Sequence, residues 1–205
     1  LRSLISDTAT ELFLERGFDE VTVSEIAAAC DVSEKTVFNH FSTKESLLFD
    51  GEERLAGVIV DSIRGDGGAS ITDATVQAVA AELAAVTAAR TDGGERDPAW
   101  RIQRFAELVE RTPTLFAAQQ AMLERLTQVA AAALAQRAGT EPDDPEAQMA
   151  AVLVVGLWRI QRSSLRRHAT SGSGAADIVA AVVADVRRAA CVADAGLSSF
   201  RPTDR

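Results

Sequence analysis

Tyrosine is absent from this chain, and cysteine, methionine, tryptophan and histidine occur only twice each. Those shortages exclude a good deal. The two cysteines, Cys30 and Cys191, lie far apart, with no C-x-x-C pair and no Cys/His cluster. A zinc site or a disulfide framework is therefore not expected, and both thiols are expected to be buried and reduced. No Ser/His/Asp, Cys/His or metal constellation is present, so the chain does not read as an enzyme, and neither metal nor cofactor is expected. Long apolar runs are also missing. AAVLVVGLW, from Ala150 to Trp158, falls well short of the ~20 residues of a membrane span and reads as a buried helix segment. No leader peptide is expected.

Positive charge is scarce as well. The net charge is −9, and residues 1–50 hold four basic side chains, Arg2, Arg16, Lys35 and Lys44, against ten acidic ones. That balance argues against bulk attraction to nucleic acid. β-Branched runs bounded by turns are few while alanine is abundant, so the 205 residues read as all-α.

What is present is most informative between Thr22 and Lys44, TVSEIAAACDVSEKTVFNHFSTK. Thr22 with Glu25 is a capping box, and Val21 with Ile26 its hydrophobic staple. Ser33 is a second N-cap with Val32 and Val37 as staple, and Asp31-Val32-Ser33 supplies the turn. Ile26, Ala27, Val32, Val37 and Phe41 give the two helices a common apolar underside. The reading is a helix-turn-helix whose second helix shows Glu34, Lys35, Thr36, Asn39 and His40 outward.

Helical periodicity continues on both sides. A first helix spans about Leu1 to Arg16 and stops at Gly17. Ser42 with Glu45 reads as another capping box, opening a connector helix from about Thr43 to Arg64. Further helices are expected at about 72–90, 98–111, 113–138, 145–168 and 175–195, with breaks at GDGGAS, TDGG and SGSG and a frayed tail after Gly196. The expectation is a nine-helix, two-domain chain: a three-helix helix-turn-helix domain over 1–50 and a larger helical ligand-binding and dimerisation domain over 51–205.

GFDEVTVSEIAAACDVSEKTVFNHFSTKESLL, Gly17 to Leu48, carries the spacing T-V-x-x-I-A, turn, V-S-x-x-T-V-F-x-H-F, x-x-K-E-x-L. On it the chain resembles the TetR family of transcriptional regulators. RTPTLFAAQQAMLERL, AQRAG and DDPEAQMAAVLVVGLWR are similar to a subgroup with an acyl-CoA-like ligand-binding C-terminal domain. Two departures stand out: Asp31 where the family often has glycine, and Phe38 where it often has tyrosine. The second loses a hydroxyl able to reach phosphate, so Phe38 is expected to pack or to touch a base methyl.

The resemblance implies double-stranded operator DNA, a small-molecule effector and a second copy of the chain as partners, with no membrane and a cytoplasmic location. Thr22 and Ser24 would meet phosphate. Ser33, Glu34, Lys35, Thr36 and Asn39 would face bases or backbone: lysine a guanine edge or a phosphate, glutamate a cytosine amine, threonine a thymine methyl, asparagine an adenine. His40 and Lys44 fall where the family contacts phosphate. An effector pocket is expected from Trp100, Arg104, Phe105, Phe116, Gln119, Met122 and Trp158, with Arg101, Gln120 and Gln161 close by. The stripe Val179, Val182, Val183 and Val186 is expected at the dimer seam, and His168 as a solvated helix end. The function implied is a ligand-responsive regulator, a repressor on a pseudo-palindromic operator. The acidic N-terminal region keeps open a helical ligand-binding or interaction protein that does not read DNA. A basic segment before Leu1, reaching the DNA backbone or minor groove, would supply the missing charge.

Overall fold

The computed structural model describes residues 1–65, 70–88, 98–169 and 174–197. Among them are nine α-helices and no strand: α1 (Arg2–Arg16), α2 (Val23–Ala29), α3 (Glu34–His40), α4 (Glu52–Arg64), α5 (Ile71–Ala88), α6 (Pro98–Arg111), α7 (Pro113–Ala138), α8 (Pro145–Ala169) and α9 (Ala175–Leu197). The predicted breaks GDGGAS, TDGG and SGSG and the C-terminal tail fall wholly or mostly outside the described residues. Two compact units result, one of residues 1–53 with 104–122 and one of residues 54–103 with 123–205.

The first unit is built on α1. Ile5, Ala9, Phe13 and Leu14 recur at helical spacing and are fully or almost fully buried, as are Ile26, Ala27, Val37 and Phe41 from α2, α3 and the residue after it. Gly17 ends α1 at φ 96, a left-handed conformation that an L side chain would strain to adopt. Phe18 then folds back until its ring centre lies 5.0 Å from that of Phe13. The segment 104–122 belongs to the same unit, where the Arg104 Nε–H donates to the Leu14 carbonyl at 3.0 Å.

The connector does not run unbroken from Thr43. The capping residues are Thr43 and Ser46, each side chain accepting from the other's backbone N–H, and not Ser42 with Glu45. They open only a 3₁₀ turn, Glu45–Leu47, and α4 starts at Glu52. The reason lies in what this stretch must bury. Leu47 and Leu48 are adjacent and both buried, and the Ser6 hydroxyl donates to the Leu47 carbonyl at 2.8 Å. Asp50 accepts from Arg2, and Gly51 follows, a residue that favours a break.

In the second unit α5, α8 and α9 pack on one another. Their buried positions are Val76, Val79 and Leu83, then Ala147, Ala151, Val154, Val155 and Trp158, then Ile178, Val182, Val186 and Ala190. Val182 and Val186 are 0 % exposed, so half of the valine stripe expected at a dimer seam is enclosed within the single chain. Val179 and Val183 are half-buried. Cys191 is exposed rather than buried, and Cys30 is half-buried. His168 is not a free helix end: with Ser164 and Arg167 of α8 and Arg188 of α9 it converges on the carboxylate of Asp185.

Candidate nucleic-acid interface

The interface is assembled from short helices whose ends are closed by their own sequence. At the start of α2 the Glu25 N–H donates to the Thr22 hydroxyl at 3.2 Å, while the Thr22 N–H donates to the Glu25 carboxylate at 2.8 Å. Arg16 also donates to that carboxylate, at 2.7 Å. The backbone bond from Thr22, then the Arg16 bond, hold the Glu25 carboxyl down at about 2. The end of α2 is a Schellman motif: Val32 N–H bonds to the Ala27 carbonyl and Asp31 N–H to the Ala28 carbonyl. Asp31 sits at φ 54, the left-handed position where the family often carries glycine. Aspartate is one of the few other residues that accept it. Ser33 then caps α3 by accepting from the Thr36 N–H at 3.1 Å.

The turn fixes which face of α3 is outward. Val37 is buried below it, as is Phe41 just beyond its end. Glu34, Lys35, Phe38 and Asn39 are exposed, and the pairs 34/38 and 35/39 each lie one turn apart on one surface. Phe38 is 52 % exposed, with about half of a large apolar ring left in solvent. Thr22, Ser24 and Ser33 are exposed at the helix starts, and Thr36 and His40 are half-buried. The Thr36 hydroxyl is already bonded to Ser33.

Arg2 is a residue that sequence reasoning left out. It donates to the carbonyl of His40, the last residue of α3, to the Asp50 carboxylate, and lies 4.8 Å over the Phe41 ring. A cation at the end of a helix satisfies an orphan carbonyl and complements the negative end of its dipole. Nothing in the local sequence signals this, because the arginine sits 38 residues from its acceptor.

Three of the four basic side chains of residues 1–50 are thus committed internally. Arg2 and Arg16 are ion-paired, and the Lys44 ammonium donates to the Phe18 carbonyl. Lys35 is the one that has no partner among the described residues.

The residues expected to line an effector pocket divide between the units. Arg104, Phe105, Phe116, Gln119 and Met122 belong to the first, and Trp100 and Trp158 to the second. Met122 and Trp158 are buried, Phe116 is half exposed, and Trp100, Phe105 and Gln119 are half-buried. Arg104 is bound to Leu14 and also pairs with Glu107. Among the described residues no cluster of three or more His, Cys, Asp or Glu could hold a metal, and no helix is long and apolar enough to cross a membrane.

Two family models match. Residues 5–50 match the bacterial regulatory proteins of the tetR family, and residues 69–170 match the MftR C-terminal domain. A protein of Mycobacterium tuberculosis named for mycofactocin biosynthesis regulation, MftR, is 28% identical over 75% of this chain and 73% of its own length. The HTH-type transcriptional regulator TcmR of Streptomyces glaucescens is 30% identical over 66% of this chain and 59% of its own. In fold, a tetR-family regulator from Streptomyces coelicolor aligns with a TM-score of 0.51 at 16% identity, over 98% of this chain and 88% of that one.

Proposed function

The chain belongs to the TetR family of bacterial transcriptional regulators, DNA-binding and ligand-responsive proteins rather than enzymes, and from that premise we propose that it acts in the cytoplasm as a homodimeric repressor. It holds a pseudo-palindromic operator and releases it when a small lipophilic or acyl-type effector binds. The observation that carries the reading is the α3 surface, where Glu34, Lys35, Phe38 and Asn39 stand exposed on a helix fixed at both ends.

In this reading Lys35 and Asn39 contact base edges, Glu34 accepts from a cytosine amine and Phe38 packs on a thymine methyl. Thr22, Ser24, Ser33, Thr36 and His40 approach phosphate. A two-fold dimer sets two such helices one turn of DNA apart, or a multiple of it. The seam we assign is a row on α8, the exposed Met149, Val152 and Ile160 with the half-buried Gly156 among them, together with Val192 of α9. Four large apolar side chains left in solvent on two neighbouring helices favour a second copy as their cover. Release follows by linkage: an effector that binds better to a form with wrongly spaced recognition helices lowers DNA affinity by the same factor.

Selection of bound sequences from a random DNA pool tests this. Enriched sites should be two-fold symmetric with half-sites separated by a whole number of helical turns. A pool that enriches nothing at any salt concentration would sink the reading.

A further inference from the structure

Two buried N–H donors on α8 have no acceptor among the described residues. Trp158 is 2 % exposed, and its indole Nε1–H meets no hydrogen-bond partner. Arg162, one helical turn on, has its Nη1 equally buried and equally without a partner. Four residues apart on a helix, the two side chains share a face. Nearly all buried polar groups in native proteins are hydrogen-bonded, and a buried guanidinium N–H without an acceptor is a costly exception.

The surroundings sharpen the point. Burial, and then the neighbouring positive charge of Arg159, push Arg162 down to about 10. No carboxylate among the described residues counters them. On α9, which packs on α8, Asp185 is already taken by Ser164, Arg167, His168 and Arg188. Val154, one turn before Trp158, is fully buried, and Val155 is 2 % exposed. The face is therefore apolar at one end and closes on two donors, one of them cationic, at the other.

We propose that Trp158 and Arg162 form the head-group site for an amphiphilic anion. A carboxylate or phosphate oxygen accepts from the Trp158 Nε1–H and the Arg162 Nη1–H, and the apolar body lies toward Val154. This rests on the reading of the larger domain as effector-binding and names the chemical class of effector. Charge-assisted bonds of this kind are the strong ones, and an arginine fork suits either oxyanion.

The test is calorimetric titration of the full chain with octanoate, octyl phosphate and octanol. The wild type should bind at least one of the two anions roughly tenfold or more tighter than the alcohol. Whichever anion wins identifies the head group. Arg162→Met should bind all three alike, Arg162→Lys should recover part of the preference, and Trp158→Phe should weaken the preferred anion. In the absence of any ligand, Arg162→Met should melt at the same temperature as the wild type or higher, since it removes a buried N–H that has no acceptor from a half-buried cation. A wild type that binds none of the three, or that does not distinguish anion from alcohol, overturns the proposal. So does a lowered melting temperature for Arg162→Met, which would mean that the arginine serves the fold. DNA binding is measured on the same samples. Anion preference without operator binding retains this site and removes the regulator reading; operator binding without anion preference does the reverse.

Discussion

The ammonium of Lys44 lies 4.3 Å from the centre of the Phe18 ring and donates to the Phe18 backbone carbonyl. In the first unit this lysine therefore closes the corner between α1 and α2, whatever else it meets. Lys44→Met removes a charge-assisted hydrogen bond and a cation–π contact and leaves a half-buried carbonyl short of a partner. The expected loss of stability is about 1–3 kcal/mol, read by thermal or urea unfolding. If Lys44 serves only phosphate, the variant will instead keep its melting temperature and lose operator affinity alone.

Lys35 and Asn39 should behave in the opposite way. Both are exposed and neither ties one element to another, so alanine at either position should change stability by no more than ~0.5 kcal/mol. Asn39→Ala should cost about 1–3 kcal/mol of operator binding and relax the choice of one base pair. Lys35→Ala should weaken binding, and if it neutralises a phosphate the salt slope should fall by about one. Because three of the four basic side chains of residues 1–50 are engaged internally, the salt slope of the wild type should already be shallow. A steep slope for this chain would contradict the view that a few specific contacts, rather than bulk charge, carry recognition.

The capping box of α2 gives a pH signature. Glu25 is held at about 2 by the Thr22 N–H and by Arg16, below its ordinary range near ~4.3 in an unfolded chain. A depressed carboxyl binds its proton more readily unfolded than folded, so its contribution is complete above that unfolded range and is lost as the pH falls toward about 2. Glu25→Gln should be less stable than the wild type at neutral pH, and the gap should close on acidification through that window. Unfolding curves from pH 7 to pH 2 measure it. A gap that stays constant would mean that the carboxylate is not what the cap depends on.

Much of this was legible in the chain because its cues are local. Thr22, Glu25 and Ser33 announce their helices within four residues, and Asp31 marks a turn that only a few residue types tolerate. The structure departs from such local cues where tertiary packing decides. Ser42 and Glu45 form an acceptable capping pair, yet burial of both Leu47 and Leu48 shifts the cap to Thr43 and Ser46 and shortens the turn. The stripe Val179, Val182, Val183 and Val186 is the most apolar face of α9, and for that reason the chain spends its centre on its own α5 and α8. Arg2 and Asp185 act over tens of residues, which no short pattern encodes. Arg162 is a local cue by contrast, since it lies one helical turn from Trp158.

The dimer seam proposed on α8 has its test at Gly156. Met149, Val152 and Ile160 are 62 %, 54 % and 36 % exposed, and Gly156 continues their row. A Cβ at Gly156 would meet nothing within 4 Å among the described residues. Replacing a mid-helix glycine where there is room stabilises the helix by roughly 0.5–1 kcal/mol, so Gly156→Ala should not harm the folded protomer. A bulkier residue keeps that gain while obstructing a second helix that approaches closely. Gly156→Arg should therefore retain full helicity and sediment as a monomer at concentrations where the wild type is a dimer, and with a single recognition helix it should lose the two-fold operator. A Gly156→Arg protein that remains dimeric would place the seam elsewhere on the second unit.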